Sequence, residues 1–306
     1  MSNSALGFLL AFVTALMWGV LPVVLKLLLV TTDAYTITAV RFLFSALFVL
    51  FSVLIAKDMP KLRQGSRFIW CLLFISTIFL LANYITNVEA LAYISPATVQ
   101  LVLQLAPFIL LLGGVFLYKE TFSRIQLIGA IMLFGGLGLF FNQRIPIILS
   151  SSQESIEGVV LVVFSAVAWA SYALAQKRLL VSFTSRQLTL VIYVLGGLLL
   201  IPFSQFLSLA NLSEWQWVAL IFCCFNTVIG YGAFTRAMHI WDTSKVSAVI
   251  SIAPIFTYLS NKLAIYIAPD VYFDAEMDTL AYIGAIFVII GAMVASMGKR
   301  TSRTPK

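Results

Sequence analysis

Ten separate apolar runs, each of about 20 residues, constrain this chain more than any other feature of its sequence. An α-helix rises 1.5 Å per residue, so each run is long enough to cross the hydrocarbon core of a bilayer, which is about 30 Å thick. Of the residues, 61% are hydrophobic and 10% charged, whereas soluble domains carry about 25% charged residues. The sequence therefore predicts an all-α integral membrane protein with ten transmembrane helices, at residues 5–29, 34–56, 68–91, 96–118, 124–142, 157–176, 187–207, 214–236, 244–267 and 279–298.

The basic residues are distributed unevenly between the loops. With both termini in the cytoplasm, all of the 19 Lys and Arg residues lie in cytoplasmic loops or ends except Lys26, Arg41, Arg144 and Lys262. Basic loops are retained on the cytoplasmic side of a membrane, so this distribution predicts a multi-pass protein of the cell (inner) membrane with both termini cytoplasmic. The net charge of +7 is explained by this orientation, and we expect no nucleic-acid partner. The first run lacks a basic n-region and a cleavage site and is predicted to be a retained helix.

The second half of the sequence repeats the first. At offsets of 147 to 155 residues several distinctive residues coincide: Trp18 with Trp169, Lys26 with Lys177, Tyr84 with Tyr231, Pro107 with Pro254, and Gly129 with Gly284. Each copy has five predicted spans, an odd number, so the second copy must enter the membrane from the opposite side. Inverted repeats of this kind are typical of secondary transporters with a site near the bilayer midplane. We assign residues 1–145 to the first repeat, 153–300 to the second, and 301–306 to a cytoplasmic tail.

A set of residues in the first copy resembles the EamA family of the drug/metabolite transporter (DMT) superfamily. The family pattern falls here on Trp18, Gly19, Lys26, Arg41, Pro107, Glu120 and Ile128–Ala130. The second copy departs from it, because Ile192 occupies the position of Arg41 and Ile267 that of Glu120. The resemblance implies a ten-helix inner-membrane carrier, usually an exporter of amino acids, their derivatives or other small metabolites. It also implies a central cavity built from the first, third, fourth, sixth, eighth and ninth helices, and it does not fix one substrate.

Amide side chains repeat at helical spacing in the third and fourth spans. Asn83 and Asn87 are four residues apart, as are Gln100 and Gln104, so each pair lies on one helix face. In the second copy Ser247 and Ser251 fall on the two glutamine positions. Two interpretations stay open: these groups line the pathway and bind a zwitterionic or polyhydroxyl solute, or they hydrogen bond between helices.

Aromatic side chains also fall inside the spans. Trp18, Tyr84, Trp169, Tyr172 and Tyr231 are candidate walls of the cavity, suited to apolar or aromatic metabolites. Ordinary helix packing is the alternative. Pro107 and Pro254 lie in register in the two copies, and each is expected to bend its helix, with a gate hinge as a further role.

Charged residues near the span ends are candidates for gating. Lys26, Arg41 and Glu89 lie toward the predicted outer side together with Asp33, where they would form an external gate or attract a substrate carboxylate. Snorkelling to the headgroups is the alternative for Lys26. Glu120, with Lys119 at the inner end, is interpreted as fixing a loop.

The sequence predicts a secondary transporter, which exports amino acids or related small metabolites by alternating access. The alternatives are a carrier for sugars or drug-like compounds and a membrane scaffold without transport. Catalytic and metal-binding motifs are missing from the sequence, so we expect no enzyme activity, cofactor or metal. Because no Asp, Glu or His falls near the middle of a span, Glu89 is the one candidate for a proton-coupling acid, and both facilitated movement and proton antiport stay open. We expect a monomer in the lipid bilayer that binds a small-molecule substrate.

Overall fold

The structure is a computed structural model that describes residues 3–60, 65–118, 123–142, 155–241, 246, 249–272 and 278–297. These residues form α-helices and two short 3-10 helices (Ile201–Phe203 and Phe206–Asn211), with no strand among them. The α-helices are α1 (Asn3–Leu28), α2 (Ala34–Ile55), α3 (Arg67–Tyr93), α4 (Pro96–Val102), α5 (Leu105–Tyr118), α6 (Arg124–Phe141), α7 (Ile156–Leu179), α8 (Ser185–Leu200), α9 (Glu214–Ile240), α10 (Ala253–Ile267) and α11 (Thr279–Met297).

Seven of these helices are long and apolar enough to cross a membrane, namely α1, α2, α3, α6, α7, α8 and α9. A shorter apolar stretch, Thr279–Ala295, lies in α11. The all-α membrane class predicted from the sequence is thereby confirmed, whereas the number of ten crossings stays a prediction. The other two predicted spans, 96–118 and 244–267, are not continuous helices in the described residues.

Polar residues immediately before the apolar runs determine where several helices begin. Asp33 accepts a hydrogen bond from the backbone N–H of Thr36 at 2.9 Å and caps α2. Thr184 and Gln187 form a reciprocal capping box at the start of α8, and Ser213 and Gln216 form another at the start of α9. These side chains bond the first backbone N–H groups of each helix, which have no partner within the helix itself.

The fourth predicted span is interrupted at residues 103–104. A proline at position 107 has no N–H to donate to the carbonyl of Leu103, four residues earlier, and the regular helix is lost there. The intervening turn is tightened by bonds to the third residue back, from Gln104 N to Leu101 O (3.1 Å) and from Ala106 N to Leu103 O (2.9 Å). The helix resumes as α5 at Leu105.

The second half contains an equivalent interruption at residues 251–252, just before α10. Pro254 is the second residue of α10, and the same short-range bonds recur, from Ile252 N to Val249 O (3.2 Å) and from Ile255 N to Ile252 O (2.9 Å). Irregular backbone at membrane depth is tolerated where it is buried in protein or lines a cavity. Both interruptions are therefore expected to face the interior of the protein.

Helices α6 and α11 approach so closely that their backbones touch. A Cβ atom on Gly136 would lie 2.6 Å from the backbone nitrogen of Val288, and one on Gly284 would lie 2.5 Å from that of Phe140. Gly129 faces Ala295 in the same way. Residue numbers that increase along α6 therefore face residue numbers that decrease along α11, so the two helices are antiparallel. Their close contact requires glycine.

The remaining helix pairs show a regular relationship between the two halves. Besides α6 with α11, the main contacts are α3 with α7, α1 with α9, α2 with α8, α1 with α10, and α5 with α7. Exchanging each helix for its counterpart at the sequence offset turns the α3–α7 pair into α9–α1 and leaves α2–α8 and α6–α11 unchanged. The packing is thus nearly invariant when the halves are exchanged.

The two ends of the helix bundle are packed differently. We call the end with the 29–33 connection the α1–α2 end, and the end with the 56–66 connection the α2–α3 end. At the α1–α2 end one apolar cluster joins six helices through Leu25, Leu28, Ala34, Ile37, Val88, Leu91, Ile94, Val99, Val102, Val162, Leu220 and Cys223. A second cluster runs along α2, α3, α7 and α8, and a small one surrounds Ala11, Ala237 and Val246 near the α2–α3 end. A further small cluster joins Leu101, Phe140, Ala281 and Val288.

Candidate functional site

Large aromatic side chains from six helices meet in the interior of the bundle. The ring of Trp18 lies 5.2 Å from that of Tyr231, and the ring of Phe42 lies 4.8 Å from Tyr84 and 5.1 Å from Tyr193. Tyr231 also interacts with Tyr84, Trp169 and Tyr172. We call these residues the aromatic cluster: Trp18, Phe42, Tyr84, Trp169, Tyr172, Tyr193 and Tyr231.

Most members of the aromatic cluster are related by the internal repeat. Trp18 corresponds to Trp169, Phe42 to Tyr193, and Tyr84 to Tyr231. Phe42 and Tyr193 stack on each other, and Tyr84 and Tyr231 interact across the halves. The two halves therefore contribute equivalent residues to the aromatic cluster.

The interruption before α10 lies beside the aromatic cluster. A Cβ atom on Gly19, the residue after Trp18, would lie 2.6 Å from the carbonyl oxygen of Ala253, the first residue of α10. The Thr257 hydroxyl donates to the carbonyl of Gly19 at 2.7 Å and fixes this contact. On the other side α5 packs on α7, which carries Trp169 and Tyr172.

Arg41 places a cation against this cluster. Its side chain is 2% exposed, its guanidinium carbon lies 4.7 Å from the centroid of the Tyr84 ring, and its Nε donates to the hydroxyl of Thr227 at 3.0 Å. Thr227 in turn donates to the carbonyl of Cys223 at 2.9 Å. No carboxylate among the described residues forms an ion pair with Arg41. The counterpart of Arg41 in the second half is Ile192, which is buried, so the second half has no cation at the matching position.

The four predicted amides take different positions. The Asn83 amide donates to the carbonyl and the hydroxyl of Ser165 on α7 at 3.1 and 2.8 Å, and Ser165 donates back to the Asn83 carbonyl. This geometry favours the helix–helix interpretation for Asn83. Gln100 and Gln104 are buried and have no side-chain hydrogen bond to the part of the chain that the structure describes, while Asn87 is half-buried.

The serines predicted at the corresponding positions of the second half are only partly described. Ser251 is buried within the interruption before α10, in register with Gln104 in the first interruption. Ser247 lies outside the described residues, as does Glu120. Prolines 107 and 254 each follow an interruption, as described above.

The structure does not bring the predicted outward charges into one group with Arg41. Asp33 caps α2 through the backbone and hydroxyl of Thr36, and the charge that acts on Glu89 is that of Asp33. Lys26 is buried in the last turn of α1. Among the residues with described positions, no group of three or more His, Cys, Asp and Glu side chains could hold a metal ion.

The sequence analysis did not identify Asn226, Thr227 or Tyr193 as candidate site residues. Thr227 stands four residues before Tyr231, so both lie on one face of α9, and this spacing is the signal that would have identified it. Asn226 donates to the carbonyl of Met17 on α1 at 2.6 Å and is fully buried. Tyr193 follows Ile192, the counterpart of Arg41. Apolar residues surround Tyr193 in the sequence and gave no signal of a site residue.

Comparisons with known proteins agree with this architecture. The model of the EamA-like transporter family matches residues 5–142 and again 156–297. An uncharacterized transporter of Haemophilus influenzae is 37% identical over 295 residues, which are 96% of each chain. The uncharacterized inner membrane transporter YhbE of Escherichia coli K12 is 36% identical over 299 residues, covering 97% of this chain and 93% of YhbE. A solved crystal structure with 20% identity superposes with a TM-score of 0.62 over 94% of this chain and 96% of that one, a likeness of fold.

These matches define a membrane transport protein built from two copies of one helical unit. The chain belongs to the EamA-like transporter family, which is part of the DMT superfamily. The resemblance inferred from Trp18, Arg41 and Pro107 is thereby confirmed, and so is the presence of two family repeats.

Proposed function

We propose that this protein is a secondary transporter of the inner membrane that exports amino acids or related small metabolites by alternating access. The observation that carries the proposal is the aromatic cluster: six helices from both halves bring aromatic side chains together, with the Arg41 cation against Tyr84, next to an interrupted helix. Interrupted helices beside a site shared by two repeats are characteristic of transporters that move a solute across the midplane.

Ten crossings in two inverted repeats around a central cavity are the architecture that this mechanism requires. The antiparallel packing of α6 against α11, the fifth helices of the two copies, supports an inverted relationship. The interrupted segments at 96–118 and 249–267 supply the two crossings that are not continuous helices.

The distribution of packing supports a state that is closed at one end. One cluster shared by six helices packs the α1–α2 end, and no cluster of described residues joins as many helices at the α2–α3 end. Seven of the ten described Lys and Arg residues lie toward the α2–α3 end, namely Lys57, Arg67, Arg124, Lys177, Arg178, Arg186 and Arg236; the other three are Lys26, Arg41 and Lys262. By the positive-inside rule that end, with both termini, is cytoplasmic, so the conformation corresponds to access from the cytoplasm.

Flux measurements test the function directly. The purified chain is reconstituted as a monomer in liposomes loaded with labelled neutral amino acids or labelled sugars, and efflux is compared with that of empty liposomes. We expect amino acid efflux that depends on the protein. Preferential sugar efflux would favour the alternative carrier, and no efflux of any solute would favour a scaffold and overturn the proposal.

A matched pair of variants tests the site. Tyr231→Ala removes a side chain from the centre of the aromatic cluster, and Tyr282→Ala removes one from an exposed position on α11. We expect flux to fall severalfold in the first variant and to stay unchanged in the second. Equal flux in both variants would remove the aromatic cluster from the pathway. An imposed pH gradient in the same liposomes distinguishes proton antiport from facilitated movement, and Glu89→Gln tests the coupling acid.

A further inference from the structure

Arg41 is a buried cation whose hydrogen-bonding capacity is largely unused. A guanidinium carries five N–H donors, and only the one on Nε is bonded within the described residues, to Thr227. No nitrogen of Arg41 is among the described side-chain polar atoms that are both fully buried and without a hydrogen-bond partner. The terminal nitrogens therefore keep some accessible surface, although the side chain as a whole is 2% exposed.

The protein provides no counter-charge for this cation within its described residues. Asp33 is occupied at the start of α2, and Glu89 interacts with Asp33 near the α1–α2 end. A charge inside the membrane is costly unless it is paired, and such residues generally face the interior and mark a substrate pathway. A cation kept there without an acid needs an anion from outside the described residues.

The groups around Arg41 suit a carboxylate. The Tyr84 ring lies against the guanidinium, with its centroid 4.7 Å from the guanidinium carbon, and its hydroxyl is enclosed next to Tyr231. Tyr193 and Tyr231 also interact with the charge of Arg41. A planar guanidinium binds a carboxylate through two parallel hydrogen bonds. Trp18 and Trp169 supply apolar surface for the rest of such a molecule.

We infer that the terminal nitrogens of Arg41 form a subsite for the carboxylate of the transported solute. The substrate class is then a carboxylic acid with an apolar body, amino acids included, and sugars are excluded because they carry no anionic group. This inference rests on the proposed transport function, since the subsite lies in the aromatic cluster.

Binding measured without transport tests the subsite. The probes are two matched pairs, benzoate with benzamide and 4-methylpentanoate with 4-methylpentanamide, which differ in charge while keeping their shape. Binding to the purified full-length protein in detergent is followed by tryptophan fluorescence, because Trp18 and Trp169 lie in the aromatic cluster, and by thermal unfolding. We expect each carboxylate to bind about 10- to 100-fold more tightly than its amide, as charge-assisted bonds imply.

Variants assign that preference to Arg41. In Arg41→Gln the carboxylate should lose its advantage over the amide, and in Arg41→Lys it should retain part of it. Lys262→Gln removes an exposed cation on α10 and should leave the carboxylate preference unchanged. If Arg41→Gln does not fold, as judged by size exclusion and circular dichroism, Arg41→Lys carries the test, and its carboxylate preference should be smaller than that of the native protein.

Two results would overturn the inference: amides that bind the native protein as tightly as their carboxylates, or a carboxylate preference that survives in Arg41→Gln. Neither result depends on flux. Carboxylate-selective binding without efflux of any solute would leave the subsite in place while removing the transport function. Efflux without carboxylate selectivity would do the reverse.

Discussion

Asn83 on α3 is bonded to Ser165 on α7 by its amide, and Ser165 donates back to the Asn83 carbonyl. Both residues are buried, so this reciprocal pair fastens the first half of the chain to the second. We expect Asn83→Ala to lower the stability of the folded protein by about 1 to 2 kcal/mol, the range for polar contacts between membrane helices. Thermal unfolding in detergent measures the loss.

The contact between Asn83 and Ser165 should not contribute to substrate affinity. Ser165→Ala should cost a similar amount. The double variant should cost more than either change alone but less than their sum, because both changes remove the bond between the Asn83 amide and the Ser165 hydroxyl, and each leaves one bond to a backbone carbonyl. The KM for efflux should stay close to that of the native protein in all three. A raised KM with unchanged unfolding would return Asn83 to the substrate pathway.

Gly136 and Gly135 are neighbours in α6 with opposite surroundings. A Cβ atom on Gly136 would meet the backbone of Val288 at 2.6 Å, whereas one on Gly135 would meet nothing within 4 Å. We expect Gly136→Ala to force α6 and α11 apart and to destabilise the protein by about 1 to 3 kcal/mol. Gly135→Ala should be neutral or stabilising by up to about 1 kcal/mol, because alanine favours helix over glycine. Equal unfolding midpoints for the two variants would contradict the close contact between α6 and α11.

The internal repeat explains which parts of the site could be predicted from sequence. Trp18, Tyr84, Trp169 and Tyr231 stand out because they recur in register, and the structure brings all four into the aromatic cluster. Thr227 has no counterpart of its own type, since Leu80 lies at the matching position. Its role depends on contact with Arg41 across the halves, which periodicity within one helix does not encode.

The polar residues show a second limit of sequence reasoning. Helical spacing places Asn83 and Asn87 on one face but does not reveal whether a partner such as Ser165 already occupies the amide. Depth is a further ambiguity, because Asp33 and Arg41 lie within eight positions of each other, yet one caps a helix and the other turns into the bundle. Proline at 107 and 254 indicated a bend, and the extent of the interruption depends on the short-range bonds that replace the lost ones.

Tyr272 follows α10 in the chain and contacts α1 through its hydroxyl. Its hydroxyl donates to the carbonyl of Val23 at 2.7 Å, and burial, with a smaller contribution from Cys223, raises the pKa of this hydroxyl to about 12. The neutral form is therefore favoured in the folded protein. The stability that it contributes is fully present below the unfolded pKa of about 10 and is lost as the pH rises through about 12.

We expect Tyr272→Phe to remove this bond and to lower the free energy of unfolding by about 1 kcal/mol at neutral pH. The difference between the native protein and the variant should shrink between pH 10 and 12, and unfolding measured across that range checks it. Tyr266→Phe, at a side chain that is 87% exposed, serves as the control. A difference that grows toward high pH would contradict the assignment of Tyr272 as a buried donor.

Pro254 allows a test of whether the interruption before α10 is needed for transport. Pro254→Ala supplies a backbone N–H that can bond the carbonyl of Ile250, four residues earlier, so residues 249–267 can join into one helix. We expect thermal stability to be unchanged or higher, amide hydrogen exchange at 251–255 to slow, and efflux to fall severalfold because the segment stiffens. Pro202→Ala, in the exposed 3-10 helix Ile201–Phe203, removes a proline elsewhere and should leave efflux unchanged. Slower exchange with native efflux would show that the interruption is a feature of packing and not of the transport cycle.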